Sequence, residues 1–235
     1  MFCMGKNPEH IGIILDGNRR FAKRLMLEPW RGHELGFEKL KKLFKWCKEL
    51  EIKEITLYCF SIQNFNRPKE EFNYLMNLFE KGFNEISTNE DIHKYKIKIN
   101  IIGRHYLFPK KVQEKIKKVI DITKDYNNYK INIALAYGGR EEILDAVKKV
   151  AEKIKNKELD IKDVNEYTFA ENLYMNTEPD LIIRTGGDRR TSNFLPWQSI
   201  YSEWFFLEKM WPEFEKEDLV KVIEEYKQRQ RRFGK

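Results

Sequence analysis

Residues 10–20 read HIGIILDGNRR, and this stretch decides the fold. Ile11, Ile13, Ile14 and Leu15 form a short apolar run broken only by Gly12. Such a run suits a strand buried on both faces of a parallel sheet. Asp16-Gly17-Asn18 ends it with turn residues. The next residues, FAKRL, can start a helix. A strand-to-helix turn aims backbone N–H groups at the space above the sheet, where anions are favoured. Asp16 adds a hard oxygen ligand suited to magnesium. Arg19 and Arg20 add fork-shaped phosphate donors. The plainer alternative is a turn with solvated charges.

Working outward, residues 34–50 place Leu35, Leu40, Leu43, Phe44, Cys47 and Leu50 at helical spacing. EITLYCF, 54–60, reads as a second strand, followed by a loop SIQNFNRP closed by Pro68. Residues 69–86 predict a long helix, either plain core or the wall of an apolar pocket. Further strands are expected at 97–103, 131–137, 180–185 and 204–207, with helices from Pro109 to Thr123, over 141–155 and from Lys216 to Gln228. Strands alternating with helices predict one α/β domain: a mostly parallel sheet of about six strands with helices on both faces. Chemically capable residues recur where strands end: Asp16 with Arg19 and Arg20, Ser61 with Asn64 and Arg67, and Arg184 with Arg190. Ligands of open α/β sheets bind at that edge. Several arginines and one magnesium-suited carboxylate there point to a diphosphate ligand.

Composition sets the bounds. The chain has 235 residues, enough for one domain with a sizeable core, and its 41% hydrophobic and 14% aromatic content marks a globular protein. A net charge of +7 suits nucleic acid, an anionic membrane surface or a phosphorylated substrate. Cys3, Cys47 and Cys59 show no CxxC spacing, which favours reduced thiols and a cytoplasmic location. No apolar run approaches the ~18 residues of a spanning helix. GxxxxGK[ST], GxGxxG, HExxH and GxSxG are all absent. Residues 184–203, RTGGDRRTSNFLPWQSIYSE, offer Arg184, Arg190 and Ser192 for one phosphate group and Glu203 as a second carboxylate, or else a basic turn with capping hydroxyls.

Taken together, ILDGNRRFA, RGHELG, TLYCFSIQNFNRP, IIGR, AYGGREEI, the 184–203 stretch and the tail RRFG resemble the cis-prenyltransferase family, which includes undecaprenyl diphosphate synthases. The resemblance runs from His10 to Gly234. It implies condensation of isopentenyl diphosphate onto an allylic prenyl diphosphate, giving a long polyprenyl diphosphate with new cis double bonds. It also implies Mg2+, a homodimer, and a peripheral membrane contact for product release. The DDxxD signature of trans-prenyltransferases is absent, in keeping with the cis class.

By the resemblance, Asp16 is the metal ligand and Glu203 a second metal contact. Gly17, Asn18, Arg19 and Arg20 cradle the allylic diphosphate, with Arg67 in support. Asn64 matches the position of proton handling, with Ser61 and His33 in its surroundings. Ile62, Gln63, Phe65 and Phe21 fall within the matched substrate-binding motifs. Arg184, Arg190, Thr191 and Ser192 match the isopentenyl diphosphate segment. The tail Arg232-Phe233-Gly234 matches a segment that reaches the partner subunit. Four positions depart from the family pattern: Phe21 and Phe65 stand where tryptophan is usual, Gln63 where glutamate is common, and Pro29 where an arginine is usual. Arg31, two residues after Pro29, is expected to replace that lost phosphate ligand. Two rival readings are a basic nucleic-acid-binding protein and a non-catalytic subunit of a prenyltransferase complex. No nucleic-acid motif supports the first, and retention of Asp16 with the arginine set argues against the second.

Overall fold

A computed structural model describes residues 6–229. Six strands form one sheet in the order β3-β4-β2-β1-β5-β6. They span His10–Ile14 (β1), Glu54–Ser61 (β2), Ile97–Ile102 (β3), Tyr129–Tyr137 (β4), Leu181–Arg184 (β5) and Glu203–Phe206 (β6). Every pairing is parallel. β1 lies inside the sheet between β2 and β5, and all five of its residues are buried. That is the place its apolar run demands.

The helices are Asn18–Arg24 (α1), Arg31–Glu49 (α2), Lys69–Thr88 (α3), Glu90–Lys94 (α4), Lys110–Thr123 (α5), Gly139–Lys155 (α6), Glu166–Ala170 (α7) and Lys216–Gln228 (α8). One face of the sheet, through Ile11, Ile13, Ile55, Leu57, Ile131, Ile133, Leu181 and Ile183, packs into the main core. Leu43 and Cys47 of α2, Leu75 and Phe83 of α3, Val112 and Ile116 of α5, and Leu219 and Val222 of α8 complete it. Alternate residues Ile14, Tyr58, Ala134 and Ile182 build a smaller cluster on the other face with Met175, Phe194 and Leu195. The period-2 alternation of each strand thus feeds both clusters.

Register places the functional edge. Ile14 lies opposite Tyr58 on one side and Arg184 on the other. Asp16, Ser61 and Arg184 therefore leave the sheet at one end. Two glycines permit the turn above β1. Gly17 holds φ +101°, a left-handed value that side chains rarely adopt. A Cβ on Gly32 would stand 1.9 Å from the Asn18 carbonyl oxygen, so only glycine lets α2 approach α1.

The structure differs from the sequence reading mainly at boundaries. α2 starts at Arg31 rather than residue 34, and α1 starts at Asn18. The expected loop after β2 is a 3-10 turn over Ile62–Asn66. Asn64 explains it: its side-chain oxygen accepts the Ser61 N–H at 2.9 Å and caps the turn.

Candidate active site

The strand ends converge on a cavity of about 330 Å³ lined by Asp16, Asn18, His33, Ser61, Asn64, Arg67, Arg184, Arg190 and Ser192, among others. Nine of the residues singled out from sequence are thus brought together. Phe37, Leu40, Cys59 and Phe79 also line it, and the same four line a second cavity of about 490 Å³. The second cavity runs between α2, α3 and the sheet. Its walls are largely apolar: Phe44, Ile55, Leu57, Phe83, Ile86 and Ile133 are among them. α3 is therefore both core and pocket wall, since Phe83 belongs to each.

Asp16 is the hub of the polar cavity. Its Oδ2 accepts from Arg184 at 2.8 Å, and its Oδ1 accepts the Gly17 N–H at 2.7 Å and lies 3.3 Å from Arg20. Burial works against its charge, but Arg184, the Gly17 N–H and Arg20 together outweigh burial and hold the carboxyl below its usual range. Arg184 is buried, with 4% of its side chain exposed. It also donates to the Arg190 carbonyl oxygen and, at 2.7 Å, to Ser192 Oγ. Its Nε is buried and lacks a hydrogen-bond partner. A buried guanidinium with a spare donor, inside a cavity, is what an anion would complete. The first turn of α1 also leaves the N–H groups of Asn18, Arg19 and Arg20 without intrahelical acceptors.

A second cluster anchors the other side. Glu71, at the start of α3, is 2% exposed and pairs with Arg67 four residues earlier. Arg19 lies 3.6 Å from it and His33 3.4 Å. The His33 imidazole and the two guanidiniums push the Glu71 carboxyl down to about 2. Burial lowers the His33 pKa, so the ring is neutral, and its Nε2 lies between Arg67 at 2.9 Å and Glu71 at 3.4 Å. Sequence reasoning missed Glu71. Helical spacing gave no signal for it, because Arg67 precedes Pro68 in extended backbone, outside α3. Trp211 was missed too. It lines the cavity and donates to the Gly36 carbonyl oxygen at 2.8 Å, linking the α8 side to α2.

Other expected residues are placed differently. Gly17 and Arg20 flank Asp16 at the rim. Gln63 and Thr191 are exposed. Ile62 and Phe65 pack on the main core, Phe65 edge-on to Phe60 at 5.2 Å. Phe21 lies under the Arg24 guanidinium, 5.1 Å from its ring centre. Arg31 does not reach the cavity. Its guanidinium is 2.9 Å from Glu34, which also accepts from Tyr74 at 3.0 Å, so a local carboxylate has claimed it. Glu203 also lies away from the cavity of its own chain. It opens β6 opposite Leu181, at the amino end of the sheet, and its partner is Arg229 at 2.7 Å. Five residues of strand advance separate that level from Asp16, on the order of 16 Å. Within one chain the two carboxylates cannot share an ion. The tail Arg232-Phe233-Gly234 lies outside the described residues.

Magnesium fits what remains. Among the described residues no three His, Cys, Asp or Glu side chains cluster as a metal cage. Magnesium is commonly held by one or two carboxylates plus substrate phosphates, and Asp16 is an ionised carboxylate beside Arg184 and Arg20.

Comparison with known proteins agrees with this geometry. Residues 14–234 match the prenyltransferase family described as "Putative undecaprenyl diphosphate synthase". A Methanopyrus kandleri protein named tritrans,polycis-undecaprenyl-diphosphate synthase (geranylgeranyl-diphosphate specific) is 47% identical, over 98% of this chain and 86% of its own. The protein of that name from Methanocaldococcus jannaschii is 48% identical, over 97% and 83%. Among solved structures, lavandulyl diphosphate synthase from Lavandula x intermedia, in complex with dimethylallyl diphosphate, superposes with a TM-score of 0.90 at 33% identity, over 97% of this chain and 99% of that one. A probable undecaprenyl diphosphate synthase from Campylobacter jejuni gives a TM-score of 0.81 at 32% identity, over 98% and 100%.

Proposed function

The chain belongs to the cis-prenyltransferase family of undecaprenyl diphosphate synthases, and from that premise we propose how its own residues elongate a prenyl chain. The substrates are an allylic prenyl diphosphate and isopentenyl diphosphate. The observation that carries the reading is the joined pair of cavities, one lined by arginines and one apolar, sharing Phe37, Leu40, Cys59 and Phe79. A diphosphate head fits the first and a growing hydrocarbon tail the second.

Asp16, with Gly17, Asn18, Arg19, Arg20 and Arg67, holds the allylic diphosphate. Arg184, Arg190 and Ser192 hold isopentenyl diphosphate. Magnesium, bound through Asp16, would supply a Lewis acid that neutralises charge on the leaving diphosphate. The arginines add fixed positive charge where the allylic C–O bond breaks and the diphosphate carries off the electron pair. The isopentenyl double bond attacks the allylic carbon, a new C–C bond forms, and a proton is lost. Asn64 is a poor base, and its oxygen is committed to the Ser61 N–H. What it retains is an NH2 donor, suited to orienting the diphosphate rather than accepting the proton. The Glu71 anchor holds Arg67 and Arg19 in place before substrate arrives.

Geranylgeranyl diphosphate, which appears in the names of the archaeal relatives, is the proposed primer. A homodimer and a peripheral membrane contact are proposed on family resemblance alone. No described helix is long and apolar enough to cross a membrane. Nucleic-acid binding is not supported, because the site arginines converge on a cavity rather than a continuous face. The test is incubation of the purified protein with magnesium, isopentenyl diphosphate and primers from dimethylallyl to geranylgeranyl diphosphate. Elongation with the highest kcat/KM on the longest primer is expected. Preference for dimethylallyl diphosphate would overturn the primer assignment, and no elongation with any primer would overturn the reading.

A further inference from the structure

Asp188 follows Gly186 and Gly187 in the loop after β5. Its carboxylate accepts from both terminal nitrogens of Arg190, at 3.1 and 2.8 Å, in a bidentate fork. Its Oδ2 also accepts from Arg20 at 3.2 Å and lies 4.0 Å from Arg184. Arg20 in turn is 3.3 Å from Asp16. One carboxylate therefore ties an arginine of α1 to an arginine of the β5 loop. In the function proposed above, which this inference rests on, those arginines serve different substrates: Arg20 the primer, Arg190 isopentenyl diphosphate.

Packing does not fix either arginine. Their side chains are 47% and 62% exposed. Free arginines in such positions sample many rotamers, and binding a diphosphate would carry the entropic cost of ordering them. We propose that Asp188 is a positioning residue that pre-sets Arg190 and Arg20, and so fixes the spacing of the two diphosphate heads. A guanidinium carries five N–H donors, and the fork occupies only one edge. The remaining donors of Arg190, which lines the cavity, stay available to a phosphate. The rival role for a carboxylate here is plain opposition. An anion beside two phosphate sites repels the substrate, and its removal would then tighten binding.

The two roles give opposite signs. The experiment uses the full chain with magnesium, and compares wild type, Asp188→Asn and Asp188→Glu by titration with isopentenyl diphosphate and by steady-state kinetics on both substrates. Asp188→Asn is expected to weaken isopentenyl diphosphate binding roughly tenfold to a hundredfold, the size of a lost charge-assisted contact. The primer KM should rise less, because Arg20 keeps Asp16 as a partner. Asp188→Glu keeps the charge but displaces it by one methylene, so it should recover only part of the affinity. Equal or tighter binding in Asp188→Asn overturns the proposal. So does full wild-type affinity in Asp188→Glu, which would show that charge alone matters; this second variant decides the question even if the first fails to fold. Wild-type turnover is measured first. Its absence would defeat the proposed function, whereas normal turnover with unchanged variants would defeat this inference alone.

Discussion

Replacing Glu71 by Gln removes the charge that holds Arg67 and Arg19 while keeping the side chain's shape. Its carboxyl sits at about 2 against an ordinary 4.5. At about 1.36 kcal/mol per pK unit, that difference favours the charged form by about 3 kcal/mol. The amide oxygen still accepts one hydrogen bond, so the expected loss of stability at pH 7 is about 2–3 kcal/mol, at or just below the range for breaking a buried pair. The pH dependence follows from the sign of the shift. A depressed carboxyl contributes fully above its unfolded value of 4.5 and loses that contribution as pH falls toward 2. Urea unfolding of both proteins from pH 7 to pH 2.5 is the assay. The gap should hold constant above roughly pH 5 and close on acidification. Because Arg67 and Arg19 are released, the primer KM should rise roughly tenfold. A gap under about 0.5 kcal/mol at pH 7, or one that persists unchanged into acid, would refute the reasoning.

Asp16→Ala should cut turnover by orders of magnitude, since among the described residues Asp16 is the one carboxylate hydrogen-bonded to Arg184, while circular dichroism shows an intact fold. Near-normal turnover in the folded variant would remove Asp16 from the mechanism. Arg190→Ala should raise the KM for isopentenyl diphosphate more than that for the primer, by roughly 1.5–3 kcal/mol in binding terms. Equal effects on both would show that the two subsites are wrongly divided. Cys59→Phe places a ring where the two cavities meet, so products analysed by mass spectrometry should become shorter, at a stability cost of about 1–3 kcal/mol. Unchanged product length would mean the tail takes another path.

The fold was legible because each strand carries its own signal. β1 is an apolar run inside a parallel sheet, and β4 has seven consecutive buried residues from Ile131 to Tyr137. The polar cavity was legible because strand ends share one edge, so Asp16, Ser61 and Arg184 meet although they are far apart in sequence. What the structure places away from the cavity depended on side-chain reach or on register. Arg31 looked free beside Pro29, but Glu34, one helical turn on, holds it. Glu203 belongs to the right motif but begins its strand, and a strand's first residue faces the wrong end of the sheet. Glu71 and Asp188 were not singled out from sequence; the structure sets Glu71 against Arg67 and Asp188 against Arg190. The apolar cavity could not be read from residues 69–86, because core and pocket wall have the same helical spacing.

The most direct test follows the carbon chain itself. Purified protein is incubated with magnesium, geranylgeranyl diphosphate and isotopically labelled isopentenyl diphosphate, and the dephosphorylated product is examined by mass spectrometry and NMR. The predicted result is a polyprenol lengthened by several five-carbon units, with every newly formed double bond cis. A product with trans additions, or recovery of the primer unextended, would contradict the account.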